Sequence, residues 1–531
     1  MLASRHEYSG NYDRDSLTII WSFAWYPHAI LHGHNPLVTH DVWAPIGVNL
    51  TWTVTAPGLA LIFAPLTLIV GAVPSFDVAA VLLPAAAAWT AFLLCRHLTR
   101  AFWPSLAGGF LYGFSGYMLA HQGGGHMNLT SIFLIPLVAL VVLRYLDGGL
   151  GGRGLVVRLG PLLALQLLFS TEIVFTVSLA LVGGLLLAFA MVPGRRPELR
   201  ASAGPIVFSF ALAGVLTAPF LYFLVKGLHT SSYVPPAEYN TDLLNLVVPT
   251  DLELLGRSWS SSITSHFPGN VTETGAFLGP AILFVALYAR RAWRSAGGRF
   301  LLVAVAIATL AALGPRLVVD GHAVVWLPWS LVVHLPLWDN VLPTRIDQYV
   351  WLGVAVMTAL WVAGQRTGLL RFALPVVAAI ALLPNPGAGV WATAYTVPAF
   401  FTDPAYRGCL GPNELVLPEP IGTDGDAMLW QEENAFRFKM AGGHFQTPPS
   451  PFMHPQSLEQ VTGAYPIPPS RAGLFRNFIR FWGVTSVVAD PVGARPWLPA
   501  LGRLAKPQRV GGILLYRVTP GAKPCIAAKR V

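Results

Sequence analysis

Eleven apolar runs follow one another along this chain, at residues 55–73, 76–95, 104–120, 129–146, 156–170, 174–192, 203–225, 275–290, 299–314, 349–364 and 369–384. A helix that crosses a bilayer needs about 20 such residues. Lipid satisfies no backbone polar groups, so only helices and closed barrels span it. Runs this many and this long point to a polytopic helical membrane protein. Charged residues make up 11% of the chain, where soluble domains carry about 25%, so most of the surface faces something other than water. Pro84 and Pro136 fall inside runs, where neighbouring helices can satisfy the backbone groups that proline frees. Residues 1–16 are polar and lack the apolar core of a cleavable signal peptide.

Charge orients the chain. The formal net charge is +9, which could mark a nucleic-acid binder. The placement of the arginines points to a membrane instead, with no nucleic-acid partner. Arg96 and Arg100 share one loop, Arg144, Arg153 and Arg158 a second, and Arg195, Arg196 and Arg200 a third. Arg290, Arg291, Arg294 and Arg299 share a fourth, and Arg366 and Arg371 a fifth. These loops fall on one side if each run from 76 onward crosses once, and the positive-inside rule makes that side cytoplasmic. The opposite loops, 121–128, 171–173, 226–274 and 315–348, carry His, Glu, Asp, Trp and Pro. Run 55–73 breaks the parity. If it crosses, residues 1–54 are cytoplasmic; if it lies in the interface, they are outside. Pro57, Pro65 and the flanking Trp52 suit an interfacial helix. The chain is thus expected to divide into three parts: a first extracytoplasmic loop with interfacial helices (1–75), a transmembrane domain of about ten spans (76–385), and an outer domain (386–531).

In that last part no run is long enough to span. Residues 413–418, 484–490 and 512–518 read as short strands. The expected fold class is an all-α polytopic membrane protein with a small C-terminal α/β extracytoplasmic domain. Of the three cysteines, Cys95 lies in an apolar run while Cys409 and Cys525 share the C-terminal domain. A disulfide is open to that pair in an oxidising compartment; two unpaired thiols are the other reading. Walker A, Rossmann-glycine and H-E-x-x-H signatures are absent. The spans hold few ionisable residues, unlike those of ion-coupled transporters. Polar groups collect in the outer loops, which favours chemistry at the outer membrane surface.

The richest stretch is 13–52, where Asp13 and Asp15 precede an aromatic-rich amphipathic segment. H-G-x-N-P (32–36) and P-x-G-x-N (45–49) follow. This resembles the first outer loop of the GT-C superfamily of glycosyltransferases, which use sugars carried on polyprenyl phosphates. Further short motifs resemble a bacterial branch of that superfamily: G-F-S-x-Y (113–117) with H-x-N (126–128), Y-N-x-D-L-L-N-L-V-V-P (239–249), Glu273 with F-L-G (277–279), A-L-G-P-R (312–316), L-P-x-R (342–345) and W-Q-x-x-x-x-F-R-F-x-M-A-G-G (430–443). The superfamily's first transmembrane helix has no counterpart here, as expected of a misplaced start codon or a truncated member.

The resemblance implies a GT-C-like helical bundle in a bacterial cytoplasmic (inner) membrane, with its C-terminal domain in the cell envelope. It implies an inverting hexosyl- or pentosyltransferase that moves sugar from a polyprenyl-phosphate donor to a lipid, glycan or protein acceptor. The acid near the start of the first loop is then catalytic: Asp15, with Asp13 as alternate. A carboxylate there can take the acceptor's proton, and Arg345 can meet the departing phosphate through bidentate hydrogen bonds. His126, Asn128, Glu172 and Glu273 are the other candidate substrate-binding residues. No cofactor is implied for certain, and a divalent metal is left open. A non-catalytic carrier or flippase of lipid-linked glycans is the alternative, favoured if a continuous polar path joins the two faces. Each residue also has a plainer role. Asp15 could cap a helix, His126 and Asn128 could cap the helix near 129, and Glu273 could favour a helix start. Arg345 could anchor at the interface, and His28, His32 and His34 could be a metal trio or a chance grouping.

Overall fold

The computed structural model describes residues 6–10, 15–227, 238–365, 368–422, 425–445, 472–519 and 523–528. The first described strand, β1 (Glu7–Ser9), leads into helix α1 (Asp15–Leu31). Its aromatic residues Trp21, Phe23, Trp25 and Tyr26 are all buried. A two-residue ladder, β2 (Val38–Thr39) with β3 (Val48–Asn49), closes the loop before α2 (Pro57–Val70). At about 1.5 Å per residue α2 is about 21 Å long, short of the about 30 Å of hydrocarbon in a bilayer. Its apolar side chains Ile62, Leu68 and Ile69 are exposed. Gly71, at φ 91°, separates α2 from the 28-residue α3 (Ala72–Thr99).

The bundle continues through α4 (Phe102–Gly113), α5 (Gly116–Gly123), α6 (Met127–Thr130), α7 (Leu134–Leu146), α8 (Gly152–Phe169), α9 (Thr171–Met191) and α10 (Arg196–Leu216). Then come α11 (Ala218–Lys226), α12 (Arg257–Thr264), α13 (Ile282–Ala292), α14 (Ala296–Ala312), α15 (Asp347–Ala363) and α16 (Leu370–Ala381). Among the described residues six helical stretches are long and apolar enough to cross a membrane: Ala72–Thr99, Met127–Leu146, Gly152–Phe169, Thr171–Met191, Pro193–Leu216 and Pro343–Ala363. This is an integral membrane protein. The apolar helices α2, α14 and α16 are shorter. Run 104–120 is two helices, because Ser115 starts a new one by accepting a hydrogen bond from the Met118 amide. Small residues let α4 close in: a Cβ on Gly109 would lie 2.6 Å from the Ala88 carbonyl of α3, and one on Gly108 2.7 Å from the Ala355 carbonyl of α15.

The hairpin of β4 (Arg316–Val319) and β5 (His322–Trp326) stands between α14 and α15. After α16, β6 (Ala392–Ala394) pairs antiparallel with β1, Tyr8 opposite Thr393. The start of the described chain and the segment after the last bundle helix therefore meet at one end of the bundle. The C-terminal unit is a five-stranded mixed sheet ordered β10-β11-β9-β7-β8. Its strands are β7 (Glu414–Glu419), β8 (Phe438–Met440), β9 (Ser486–Ala489), β10 (Gln508–Val510) and β11 (Ile513–Arg517). Cys409 and Cys525 are joined by a disulfide, and Cys95 is a buried free thiol.

This unit packs onto α1. Trp21 stacks on Trp25 at 5.2 Å between ring centres and meets Phe436 and Phe445 edge-on. The Trp21 indole donates to Gln431 at 2.8 Å, and the buried Gln431 amide donates to the carbonyls of Asp41 and Phe438. The Trp43 amide donates to the Gly442 carbonyl, and the Thr18 hydroxyl to that of His444. Buried Trp and Tyr need such partners for their polar tips.

Candidate functional site

Asp15 is the first residue of α1, and its carboxylate is buried. A close crossing holds it in place. Gly125, at φ 68°, faces Ser16 so tightly that a Cβ would lie 1.9 Å from the serine oxygen. Gly10 in turn would put a Cβ 2.5 Å from the Gly125 amide nitrogen. Only residues without side chains let the 123–125 turn and the start of α1 approach this closely.

His126 follows that turn directly. It occupies the cap position of α6 yet makes no side-chain cap bond; its Nε2 lies 3.7 Å from Asp15 Oδ2. From the C-terminal unit, His444 brings its Nε2 within 3.4 Å of Asp15 Oδ1. Two imidazoles from distant parts of the chain thus flank one carboxylate. His126 Nδ1 in turn faces His121 Nδ1 at 3.3 Å, so a proton or a cation must lie between the two nitrogens. Burial, reinforced by the nearby His126 and Arg345, pushes the His121 pKa well below its ordinary value.

Glu273 extends the line. It ends a short turn, Val271–Glu273, capped by the Asn270 side chain. Arg345, in the turn leading into α15, donates to Glu273 from Nη2 at 2.6 Å and Nε at 3.0 Å. Its Nη1 meets Glu172, near the start of α9, at 2.5 Å. All three side chains are at most one-fifth exposed. Two carboxylates against one guanidinium leave this trio one negative charge in excess.

Of the sequence-predicted residues, Asp15 and His126 meet at one end of this line and Glu273, Arg345 and Glu172 at the other. Asn128 lies on α6, and its buried Oδ1 has no hydrogen-bond partner. Asp13 lies outside the described residues. His121 and His444 were not anticipated. His121 sits five positions before His126, and His444 directly follows the A-G-G of the 430–443 motif; those spacings were the only signals. One donor atom each from His121, His126 and Glu273 fall within 4.8 Å of one another. Two imidazole nitrogens and a carboxylate oxygen suit a divalent transition ion. The trio His28, His32 and His34 sits elsewhere, at the other end of α1. His28 and His32 stack at 4.2 Å, and burial followed by the charges of His32 and His34 pushes the His28 pKa down to about 4.

The family profile DUF6311, "Domain of unknown function", matches residues 8–383. The chain belongs to the DUF6311 family. Among curated proteins nothing matches it. Solved structures do resemble it. An Archaeoglobus fulgidus oligosaccharyltransferase tethered to an acceptor peptide superimposes with TM-score 0.54 at 15% identity, over 98% of this chain and 71% of that one. The oligosaccharyltransferase AglB of the same organism, in complex with an inhibitory peptide and a dolichol-phosphate, gives 0.51 at 13% identity, over 98% and 72%. ArnT from Cupriavidus metallidurans, bound to undecaprenyl phosphate, gives 0.43 at 12% identity, over 98% and 96%. At these identities the oligosaccharyltransferase likeness speaks to fold. This DUF6311 member shares the fold of these oligosaccharyltransferases, a GT-C-like helical bundle followed by a small C-terminal α/β unit.

Proposed function

We propose that this DUF6311 protein is a membrane glycosyltransferase that moves a sugar from a polyprenyl-phosphate donor to a lipid, glycan or protein acceptor. It works at the outer face of a bacterial cytoplasmic membrane, with its C-terminal unit extracytoplasmic, and inverts the sugar's anomeric centre. The observation that carries this reading is the Asp15 carboxylate, buried at the head of α1 between His126 and His444. The GT-C fold, seen with a dolichol-phosphate in AglB, supports a lipid-linked donor. The Cys409–Cys525 disulfide supports an oxidising compartment for the C-terminal unit.

In this reading Asp15 takes the proton of the acceptor nucleophile as that atom bonds to the sugar's anomeric carbon. The bond from that carbon to the phosphate oxygen breaks, and the polyprenyl phosphate leaves with the electron pair. His126 and His444 orient the Asp15 carboxylate. His121, His126 and Glu273 would hold a divalent cation, which when bound supplies positive charge towards the departing phosphate. Arg345 reaches the phosphate only if Glu172 releases its Nη1. Asn128, whose buried Oδ1 lacks a partner, accepts from a sugar hydroxyl only if the site opens around it. A carrier would need ionisable groups through the depth of the bundle. Here the line from Asp15 to Glu172 gathers at the helix starts of a single end, which favours the enzyme.

The test is transfer by purified protein from a panel of polyprenyl-linked sugars, with Asp15→Asn alongside. Loss of a general base costs about 10²–10⁴ in rate. Turnover by Asp15→Asn within about threefold of wild type, with Asp13→Asn equally active, would remove both acids from the mechanism.

A further inference from the structure

The opposite end of the bundle holds a second polar feature, unconnected with the proposed reaction. Helices α3 and α7 finish beside one another there. Arg96 and His97 lie in the last turn of α3, Arg100 is its C-cap, and Arg144 lies in the last turn of α7. Together with Leu93 and Leu140 they line an open cavity of about 510 Å³, in which all three arginines are exposed. Asp77, which accepts hydrogen bonds from Ser9, marks the end of α3 nearest Asp15. From Asp77 to Arg96 the helix rises about 28 Å at 1.5 Å per residue, close to the about 30 Å of bilayer hydrocarbon. The cavity therefore opens at the polar boundary of the leaflet away from Asp15.

Most neighbouring arginines at this end are engaged by the fold. Arg195 donates to Asp147 at 2.8 Å and to the Leu146 carbonyl at 2.7 Å. Arg196 donates to the Phe189 carbonyl, Arg291 to that of Gly364 and Arg299 to that of Trp293. The three arginines of the cavity, like Arg153, Arg290 and Arg294 on the same side, are not held in this way; what sets them apart is that they share one space. Among the described residues no carboxylate pairs with Arg96, Arg100 or Arg144, and their guanidinium groups donate to no protein acceptor. The acid that follows α7, Asp147, is shared between His97 at 2.9 Å and Arg195.

Helix C-termini favour single cations, but that preference does not gather three guanidinium groups from two helices around one space. Three positive charges around one space raise its potential and favour an anion there. The leucines supply an apolar floor one helical turn deeper. Guanidinium forks match phosphate oxygens, and a basic pocket between helices at a membrane boundary suits a lipid head group. We propose that this cavity binds the phosphate of an anionic membrane lipid, with the head group among Arg96, Arg100 and Arg144 and the acyl chain along Leu93 and Leu140.

Native mass spectrometry of the full chain, with lipids added at equal concentration, tests this. Phosphatidylglycerol should be retained at least tenfold more than phosphatidylcholine. Arg96→Gln, Arg100→Gln and Arg144→Gln should each weaken retention about fivefold, and the triple variant about 100-fold. Arg290→Gln, on the same side but off the cavity, should leave retention unchanged. Equal retention of the two lipids overturns the proposal, as does an Arg290→Gln loss that matches the cavity variants. Inorganic phosphate displacing phosphatidylglycerol at matching concentration would make this a soluble-anion site and overturn the lipid assignment. If the triple variant does not fold, the single variants decide by the same comparison.

Discussion

Asp15→Asn keeps the shape of the side chain and its capacity to accept hydrogen bonds but cannot take a proton, so turnover should fall while thermal stability holds. His444 gives a second handle. The Thr18 hydroxyl bonds its backbone carbonyl, so His444→Gln changes only what faces Asp15. Turnover should fall about 10–100-fold through lost orientation, with the unfolding temperature unchanged; a variant as fast as wild type would remove His444 from the site. A third prediction concerns Glu253, buried in the loop after α11, whose Oε2 accepts from the Thr250 amide at 2.9 Å. Burial pushes its pKa from 4.5 up to about 7. Between those values the folded chain holds a proton the unfolded chain has lost, so this contribution is full below about pH 4.5 and is lost as pH rises to 7. Glu253→Gln removes that dependence. Its unfolding temperature should match wild type at pH 4 and exceed it at pH 8, and thermal melts in detergent at the two values check the sign. At this scale the sequence was partly legible. Asp15, His126, Glu273 and Arg345 stood out because each sits in a short motif, and Glu172 because an acid between two apolar runs is costly in lipid. His444 did not, because its link to Asp15 joins opposite ends of the chain and has no periodicity to betray it.

Elements were easier to read than residues. Most apolar runs became helices with ends close to the runs' own, because burial in lipid or core demands the same composition throughout, though α13 starts only at Ile282 in run 275–290 and α10 already at Arg196 before run 203–225. Other departures have local causes: Ser115 capping a new helix within run 104–120, and Pro219 starting α11 after Thr217 within run 203–225. Strands β7, β9 and β11 matched the β-branched runs, whereas β8 and β10, three residues each, are too short to carry alternation and exist through their neighbours. The crossing at Gly125 yields the prediction at this scale. Gly125→Ala must drive Ser16 aside, because the added Cβ would sit 1.9 Å from its oxygen. Overpacking of this kind costs about 1–3 kcal/mol, and φ 68° adds about 1–2 kcal/mol for a residue with a side chain. The head of α1 should shift from His126, so Gly125→Ala should lose turnover about as severely as Asp15→Asn. Gly148→Ala, also at positive φ but with open space around it, should keep turnover. Full activity of Gly125→Ala would show that the crossing does not position the acid.

At the scale of the whole molecule the question is which parts share a side of the membrane. Arginine counts could orient the bundle but not residues 1–54; there Trp52, Pro57 and Pro65 had to argue for an interfacial run 55–73 and an outer N-terminal segment. Pairing carries the argument further. β1 lies against β6, α1 packs on the C-terminal sheet through Trp21 and Gln431, and residues 41–44 bond to 440–442. Each contact joins the N-terminal segment to chain beyond α16, so no membrane can lie between them. If the disulfide-bonded unit is extracytoplasmic, α1 and its following loop must be so too. The labelling background suits a direct test: Cys409 and Cys525 are paired and Cys95 is buried. His34 is exposed in the loop after α1, so His34→Cys adds an accessible thiol. It should react with a membrane-impermeant maleimide in intact cells, after permeabilising any outer membrane, to the same extent as a cysteine placed at the exposed Ala528. Labelling of both only after lysis would invert the orientation. Labelling of one without the other would break the shared side that the contacts require, and the Asp15–His444 site would fall with it.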